Sequence, residues 1–396
     1  MHSIRALYLQ PAAHFGGAER QAATIVPLLS AHGVETTPLV GPGREIVAWL
    51  GERGVDDVVH TNTFPGAWRK PRGIGRVALV WRYARCLRLF RSELAAIVRD
   101  REIDVIYAAM AYSWFAATPV ARRLAIPIVW RAGGTECSGG ARRILGIASR
   151  WFRPDQLVCN GDSVRALYAP LIGSRSIVIR NGLDARQFYP GAGDGARLRP
   201  PGVHTVIGFA GRLVAQKRPE DFIAVAARFG GHRDVGFLFA GDGSRRAYYA
   251  ETAQRAGART LRVTGYLHDM RDFYAACDVL VLPSRSEGCP NVVLEAMAMG
   301  TVVVAADAPA TREIVTDGRD GILYPVGDLD ALERALASLV GNPDQRRMLV
   351  ERGYRRVSRL TAHECAARTA EVLRAVVASH SRARLPATPR RTALPA

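Results

Sequence analysis

The chain is short of cysteine and pairs none by spacing: Cys86, Cys137, Cys159, Cys277, Cys289 and Cys365 are scattered over 396 residues without a Cys-x-x-Cys unit. Neither a zinc site nor a disulfide framework is indicated, and a reducing compartment fits best. No uncharged apolar run reaches the roughly 18 residues that cross a bilayer as a helix. The amino terminus is apolar, but Arg5 and then Gln10-Pro11 interrupt it, so it reads as a first strand rather than a signal peptide. There is no Gly-x4-Gly-Lys-Ser/Thr loop to cradle nucleotide phosphates and no short internal repeat. Acids are scarce as well. With 36 Asp and Glu against 54 Lys and Arg, nearly all of them Arg, the net charge is +18, which asks for a polyanionic partner: nucleic acid, an acidic membrane surface or a phosphorylated substrate.

What is present centres on Ser284-Arg285-Ser286-Glu287-Gly288-Cys289-Pro290-Asn291-Val292-Val293-Leu294-Glu295, which runs on to Gly300. It follows the apolar run 279–282, which reads as a buried strand, and passes through a Gly/Pro turn into a short helix. The first amides of such a helix, around Val292 and Val293, lack intrahelical acceptors and sit at the positive end of its dipole, so they can hold a phosphate. Glu287 and Glu295 flank that position. Carboxylates accept hydrogen bonds from sugar and ribose hydroxyls while amides take a diphosphate, a combination that suits a sugar nucleotide. The same stretch also reads as a loop with two solvated glutamates.

Strand patterns near 3–10, 34–40, 104–109, 127–131, 156–159 and 176–180 alternate with helical ones at 113–124, 141–151 and 162–169. A second series follows at 204–210, 235–240, 260–264, 279–282, 301–305 and 321–324. Such alternation implies parallel sheets covered on both faces. The glycine- and proline-rich stretch between the series reads as a linker. The expected organisation is a first Rossmann-like unit over 1–190, a linker over 191–202 and a second unit over 203–360. A helix at about 361–380 packs back on the first unit, and 381–396, with four arginines and no acid, forms a disordered basic tail. Two doubly wound α/β units bind ligands beyond the carboxyl ends of their strands, in a cleft between them. Segment 69–101 departs from the rhythm, with ten basic residues against Glu93 and Asp100. Arg82, Arg85, Arg88 and Arg91 recur every third residue among Trp81, Tyr83, Leu87, Leu89 and Phe90, a helix that suits an anionic lipid surface or is an ordinary solvated face.

Further pieces fall at strand ends. Gly16-Gly17 opens a helix, where backbone can approach a ligand closely. Gly211-Arg212 with Lys217 puts two cations on one loop, able to neutralise a diphosphate leaving group without metal. Gly241-Asp242-Gly243 is a tight loop, and Gly265-Tyr266-Leu267-His268-Asp269 lies where a base could rest. The lone Asp-x-Asp, Asp328-Leu329-Asp330, precedes a helix and reads as a cap.

Together Gly16-Gly17-Ala18-Glu19-Arg20, Asn181-Gly182-Leu183-Asp184, Gly211-Arg212 with Lys217, Gly241-Asp242-Gly243 and the Glu287-x7-Glu295 spacing resemble the retaining GT-B glycosyltransferases of sequence family 4, the glycosyl transferases group 1. The resemblance covers about residues 3–375, the last two thirds best. It implies a GT-B fold and a nucleotide-sugar donor. Glu295 would hold the ribose, Glu287 would face the transferred sugar, and backbone from Gly288 through Cys289, Pro290 and Asn291 to Val292 would contact sugar and diphosphate. Gly211, Gly241 and Leu267 would line the donor site, Arg212 and Lys217 would stabilise the departing phosphate, and Gly16 and Gly17 would close over it. No metal or other cofactor is expected. Where many relatives carry a histidine after the strand at 127–131, this chain has Trp130-Arg131-Ala132-Gly133-Gly134. Arg131 and Gly133 become acceptor-side candidates, with a core-edge arginine the alternative. Val302 replaces a proline common in relatives and continues a buried run.

The expectation is a cytoplasmic enzyme, peripheral on the inner face of the cell membrane, that glycosylates a glycan or lipid-linked acceptor in cell-surface polysaccharide or glycolipid synthesis. The alternatives are a nucleotide-sugar epimerase or phosphorylase of the same fold, or a non-catalytic RNA- or membrane-binding protein. Nucleic acid is not an expected partner, because the acidic pair would repel its backbone.

Overall fold

Runs such as Val279-Leu280-Val281-Leu282 are apolar on both faces and fully buried, as strands of a sheet covered on both sides must be. The computed structural model describes residues 3–10, 16–64, 76–109, 111–135, 139–173, 175–243, 245–258 and 260–384. Its first unit contains β1 (Ile4–Gln10), α1 (Gly17–Leu29), β2 (Val34–Val40), α2 (Arg44–Gly51), β3 (Val59–His60), α3 (Arg76–Asp100), β4 (Val105–Ala108), α4 (Ala111–Leu124), β5 (Ile128–Ala132), α5 (Gly139–Ala148), β6 (Gln156–Cys159), α6 (Asp162–Ile172) and β7 (Ser176–Val178). The second contains β8 (Thr205–Ala210), α7 (Pro219–Arg228), β9 (Val235–Ala240), α8 (Arg246–Arg255), β10 (Leu261–Gly265), α9 (Arg271–Ala276), β11 (Val279–Leu282), α10 (Asn291–Ala298), β12 (Val302–Ala306), α11 (Pro309–Arg312), β13 (Ile322–Tyr324), α12 (Leu329–Val340) and α13 (Pro343–Val357). α14 (Ala362–Arg384) ends the described chain.

The strands pair in parallel in the orders β3-β2-β1-β4-β5-β6-β7 and β10-β9-β8-β11-β12-β13. One face of the first sheet is packed by α3 to α6 through Phe90, Trp114, Leu145 and Tyr168, with the Trp114 and Trp130 rings stacked at 4.9 Å. The other face takes α1 and α2 together with Ala366, Ala370 and Leu373 of α14. The carboxy-terminal helix thus completes the core of the amino-terminal unit, and Arg374 of α14 donates to the His32 carbonyl at 2.6 Å. The chain crosses between the units twice, and a bridge joins Leu183 to Thr361 where the strands of that crossing meet.

Three differences from the sequence reading have local causes. β3 and α2 were not expected: β3 is a two-residue edge strand, and α2 is a short helix that carries too few residues for a period to show. The stretch 191–202, read only as a linker, docks on the second unit: the Asp194 amide donates to Asp272 Oδ1 at 2.8 Å, and Arg199 donates to the Ala276 carbonyl at 3.1 Å, both on α9. α14 runs to Arg384, four residues into the segment read as a disordered tail; 385–396 lie outside the described residues, as do His14 and Phe15 and positions 69–75 of the basic segment.

Candidate active site

Each sheet reverses its strand order once, between β1 and β4 and between β8 and β11. Crevices at such switch points are where doubly wound folds bind ligands. Gly16-Gly17 follows β1, Gly211 to Lys217 follows β8, and Ser284 to Pro290 follows β11. These loops meet.

A single turn over 215–217 zips onto the β11 loop: the Arg285 amide donates to the Gln216 carbonyl at 3.1 Å, and Gln216 Nε2 donates to the Ser286 carbonyl at 2.8 Å. This register delivers Lys217 Nζ to Glu287 Oε1 at 2.5 Å, with both side chains largely buried. The aliphatic stem of Lys217 lies over Gly211, and Gly211 is pressed against Gly241: a Cβ on Gly241, whose φ is +154°, would fall 2.0 Å from the Gly211 carbonyl oxygen. Only glycine allows that approach. Arg212 leaves the same loop exposed. Its carbonyl accepts the Val214 amide at 2.9 Å, and its guanidinium is near enough to Glu19 to favour that carboxylate's charged form. The structure therefore brings Lys217 to the turn entering α10 and leaves Arg212 facing the first unit.

At that turn Pro290 precedes α10, and its carbonyl accepts the Val293 amide at 3.0 Å. Of the amides expected to be open, Val293 is thus taken. Among the described residues those of Asn291 and Val292 have no backbone acceptor, so the open amides lie one residue nearer the loop than expected. Burial pushes the Cys289 thiol up to about 12, so this residue offers backbone and not a thiolate. Glu295 is 5% exposed, accepts the Tyr274 hydroxyl at 2.7 Å and faces Arg20 at 3.7 Å. Burial raises its carboxyl above the usual glutamate range, with Arg20 and Tyr274 pulling the other way. Beside it a recess of about 340 Å³, open to solvent, is lined by Arg20, Trp49, Asp184, Gln187 and Phe188.

The first unit supplies the opposite wall. Gly16 precedes α1, and its amide donates to Glu19 Oε2 at 2.9 Å; Gln10 Nε2 donates to the other oxygen at 2.8 Å. Burial raises Glu19 too, against those bonds. The Gly17 carbonyl accepts Asn291 Nδ2 at 3.0 Å. The loop after β5 closes on Glu287 and Gly288: Thr135 Oγ1 donates to the Glu287 carbonyl at 2.7 Å, and a Cβ on Gly288 would lie 2.1 Å from the Gly133 carbonyl oxygen. Leu267 is half-buried against the second core, and its neighbour His268 Nε2 accepts the Trp49 indole N–H at 3.0 Å. Arg131 is 6% exposed and its guanidinium is spent on Asn181 Oδ1 at 2.6 Å and the Tyr107 hydroxyl at 3.4 Å, the geometry of a core arginine. Among the described residues no group of three His, Cys, Asp or Glu side chains is arranged to hold a metal ion, and Asp328 caps α12 by accepting the Ala331 amide at 2.8 Å.

Trp49, Thr135 and Tyr274 carried no sequence signal, since each is ordinary in its own segment. Arg20 and Asn181 stood inside motifs and could have been weighed as side chains.

Two facing switch-point crevices of doubly wound units, closed over a cation and carboxylate pair at a helix entrance, define a protein of the GT-B class. Its backbone follows Anabaena HepE crystallised with UDP-glucose with a TM-score of 0.77 at 20% identity, over 94% of this chain and 100% of that one. The sucrose-phosphate synthase of Thermosynechococcus elongatus gives 0.76 at 18%, over 95% and 100%. The chain belongs to family 4 of the glycosyltransferases: residues 15–187 match the family described as Glycosyltransferase Family 4, and 204–342 match Glycosyl transferases group 1. Similar curated proteins include the lipopolysaccharide core biosynthesis glycosyltransferase LpsE of Rhizobium meliloti, 32% identical over 52% of this chain and 59% of its own length. The alpha-maltose-1-phosphate synthase of Mycolicibacterium smegmatis is 34% identical over 55% and 61%. A GDP-mannose-dependent alpha-mannosyltransferase of the same species is 30% identical over 63% and 67%. The first two matches thus span about three fifths of those relatives' own length.

Proposed function

We propose that this protein is a retaining glycosyltransferase that moves a sugar from a nucleotide-sugar donor to a glycan or lipid-linked acceptor in cell-surface polysaccharide or glycolipid synthesis. The observation that carries the reading is Lys217 held on Glu287 at the entrance of α10, within a crevice that the Gly17 loop closes. In this reading the amides of Asn291 and Val292 take the diphosphate at the positive end of α10. Lys217 turns from Glu287 to the leaving phosphate, and Arg212 adds charge from the loop edge. Such neutralisation, preorganised in a closed cleft, stabilises the charge that develops as the glycosidic bond breaks. Glu287 then faces the sugar, Glu295 the ribose, and the acceptor attacks from the side the nucleotide leaves. The names of the relatives, a mannosyltransferase dependent on GDP-mannose among them, support a nucleotide-sugar donor.

The test is a thermal-shift screen of nucleotide sugars, in which a bound donor raises the melting temperature with the logarithm of its concentration, followed by product analysis with the labelled hit. Label in an acceptor supports the reading. Label retained in an epimerised nucleotide sugar, or released as a sugar phosphate, would replace it with the epimerase or phosphorylase alternative.

The same reading sets the protein in the cytoplasm against an anionic membrane. No helix of the described residues is long and apolar enough to cross a bilayer. α3, α4 and α5 cover one face of the first sheet, and their only acids are Glu93 and Asp100 in the second half of α3. From this layer Trp81 stands 74% exposed, and α5 with the residues after it adds Ile144 at 68% and Trp151 at 82%, among Arg82, Arg85, Arg142 and Arg150. Exposed aromatics interleaved with arginines fit the headgroup region of an anionic bilayer. In this reading α5 and the residues after it add to the surface first read from residues 69–101 alone.

A further inference from the structure

The buried Arg131 has no carboxylate partner among the described residues; its bonds go to the Asn181 amide oxygen at 2.6 Å and the Tyr107 hydroxyl at 3.4 Å. Removing a guanidinium from water without a counter-charge costs several kcal/mol, so what it does instead must matter. Asn181, itself 5% exposed, passes the polarity on. With its oxygen committed to Arg131, its Nδ2 donates to the Cys289 carbonyl at 3.2 Å and to Asn291 Oδ1 at 2.6 Å. Asn291 in turn donates its Nδ2 to the Gly17 carbonyl at 3.0 Å.

The direction of this chain is determined at both ends. A guanidinium only donates and a backbone carbonyl only accepts, so both amides between them have a single satisfied orientation. The chain starts in the first unit at the end of β5, crosses to the first residue of α10, and returns to the first unit at the glycine loop. Its members touch both halves of the crevice proposed to hold the diphosphate.

We propose that Asn181 is a positioning residue for the donor diphosphate: braced by Arg131, it sets Asn291 and the Cys289 carbonyl at the entrance of α10 and joins the Gly17 loop to that entrance. The inference rests on the donor reading above. The cation behind Asn181 polarises its amide and strengthens the next bond, and the arriving diphosphate supplies the negative charge that Arg131 lacks. Both halves of the phosphate site are then ordered together, only in the closed arrangement.

Asn181→Asp separates this role from a structural one. The carboxylate still accepts from Arg131, gaining an ion pair, but has no N–H for Asn291 or Cys289. Calorimetry with UDP, GDP, ADP and dTDP, and with the matching nucleosides lacking phosphate, reads binding; small-angle scattering with and without the nucleotide reads closure. The expected result is a folded variant whose melting temperature stays close to that of the parent, nucleoside affinity unchanged, diphosphate affinity down about tenfold or more, and less compaction on binding nucleotide than in the parent. Should Asn181→Asp fail to fold, Asn291→Leu removes the same link from the exposed side and is expected to show the same selective loss. Unchanged diphosphate affinity and compaction, or equal loss for nucleoside and nucleotide, would overturn the proposal and leave the donor reading standing. If the parent binds none of the four diphosphates, the donor reading falls and takes this proposal with it.

Discussion

Lys217 is one of only two lysines in the chain, with Lys70, against an arginine background. An ammonium is a compact point charge that fits between Gly211 and Glu287, where a planar guanidinium would need more room and more acceptors. Lys217→Ala should therefore lower kcat about a hundredfold or more with a smaller change in donor affinity, and Lys217→Arg should not restore it. Steady-state kinetics beside direct donor binding decides this, and equal losses in both would refute a transition-state role. Glu295 and Glu19 make a second prediction. Burial raises both carboxyls, so the folded state binds their protons more tightly than the unfolded chain does. The resulting stability is complete below the ordinary glutamate range and is lost as pH rises through the raised folded values. Glu295→Gln keeps an acceptor for Tyr274 and deletes one titration, so its melting temperature should fall less steeply across that window. A curve parallel to that of the parent would contradict the assignment.

At the scale of elements, the β5 loop and the entrance of α10 pack so closely that Gly288 has no space for a side chain against the Gly133 carbonyl. Gly288→Ala should force the two loops apart at a cost of about 1–3 kcal/mol. Turnover should drop about tenfold or more while nucleotide still binds the second unit, a split that kcat and calorimetry measure; wild-type turnover would mean the loops need not close. α3 and α5 carry another prediction. In sedimentation with phosphatidylglycerol vesicles the protein should bind at low salt and dissociate as salt screens its arginines. Trp81→Ala with Trp151→Ala should weaken binding at fixed salt, because apolar insertion supplies the rest. Equal binding to neutral phosphatidylcholine vesicles would count against a charged surface.

At the scale of the molecule, the alternation of buried runs with amphipathic helices was enough to determine two doubly wound units, because the periods of strand and helix are local properties of the chain. The spacing of Glu287 and Glu295 was equally legible: a loop and a helix entrance hold it in a few residues. Tertiary structure alone decided the rest. That Arg131 turns inward to Asn181, that Asn291 reaches the Gly17 carbonyl and that Trp49 meets His268 all depend on how distant segments pack. A side chain's neighbours across a cleft leave no period in the sequence that bears it; they follow from the closeness of two loops more than a hundred residues apart, and only the folded chain brings Gly133 against Gly288.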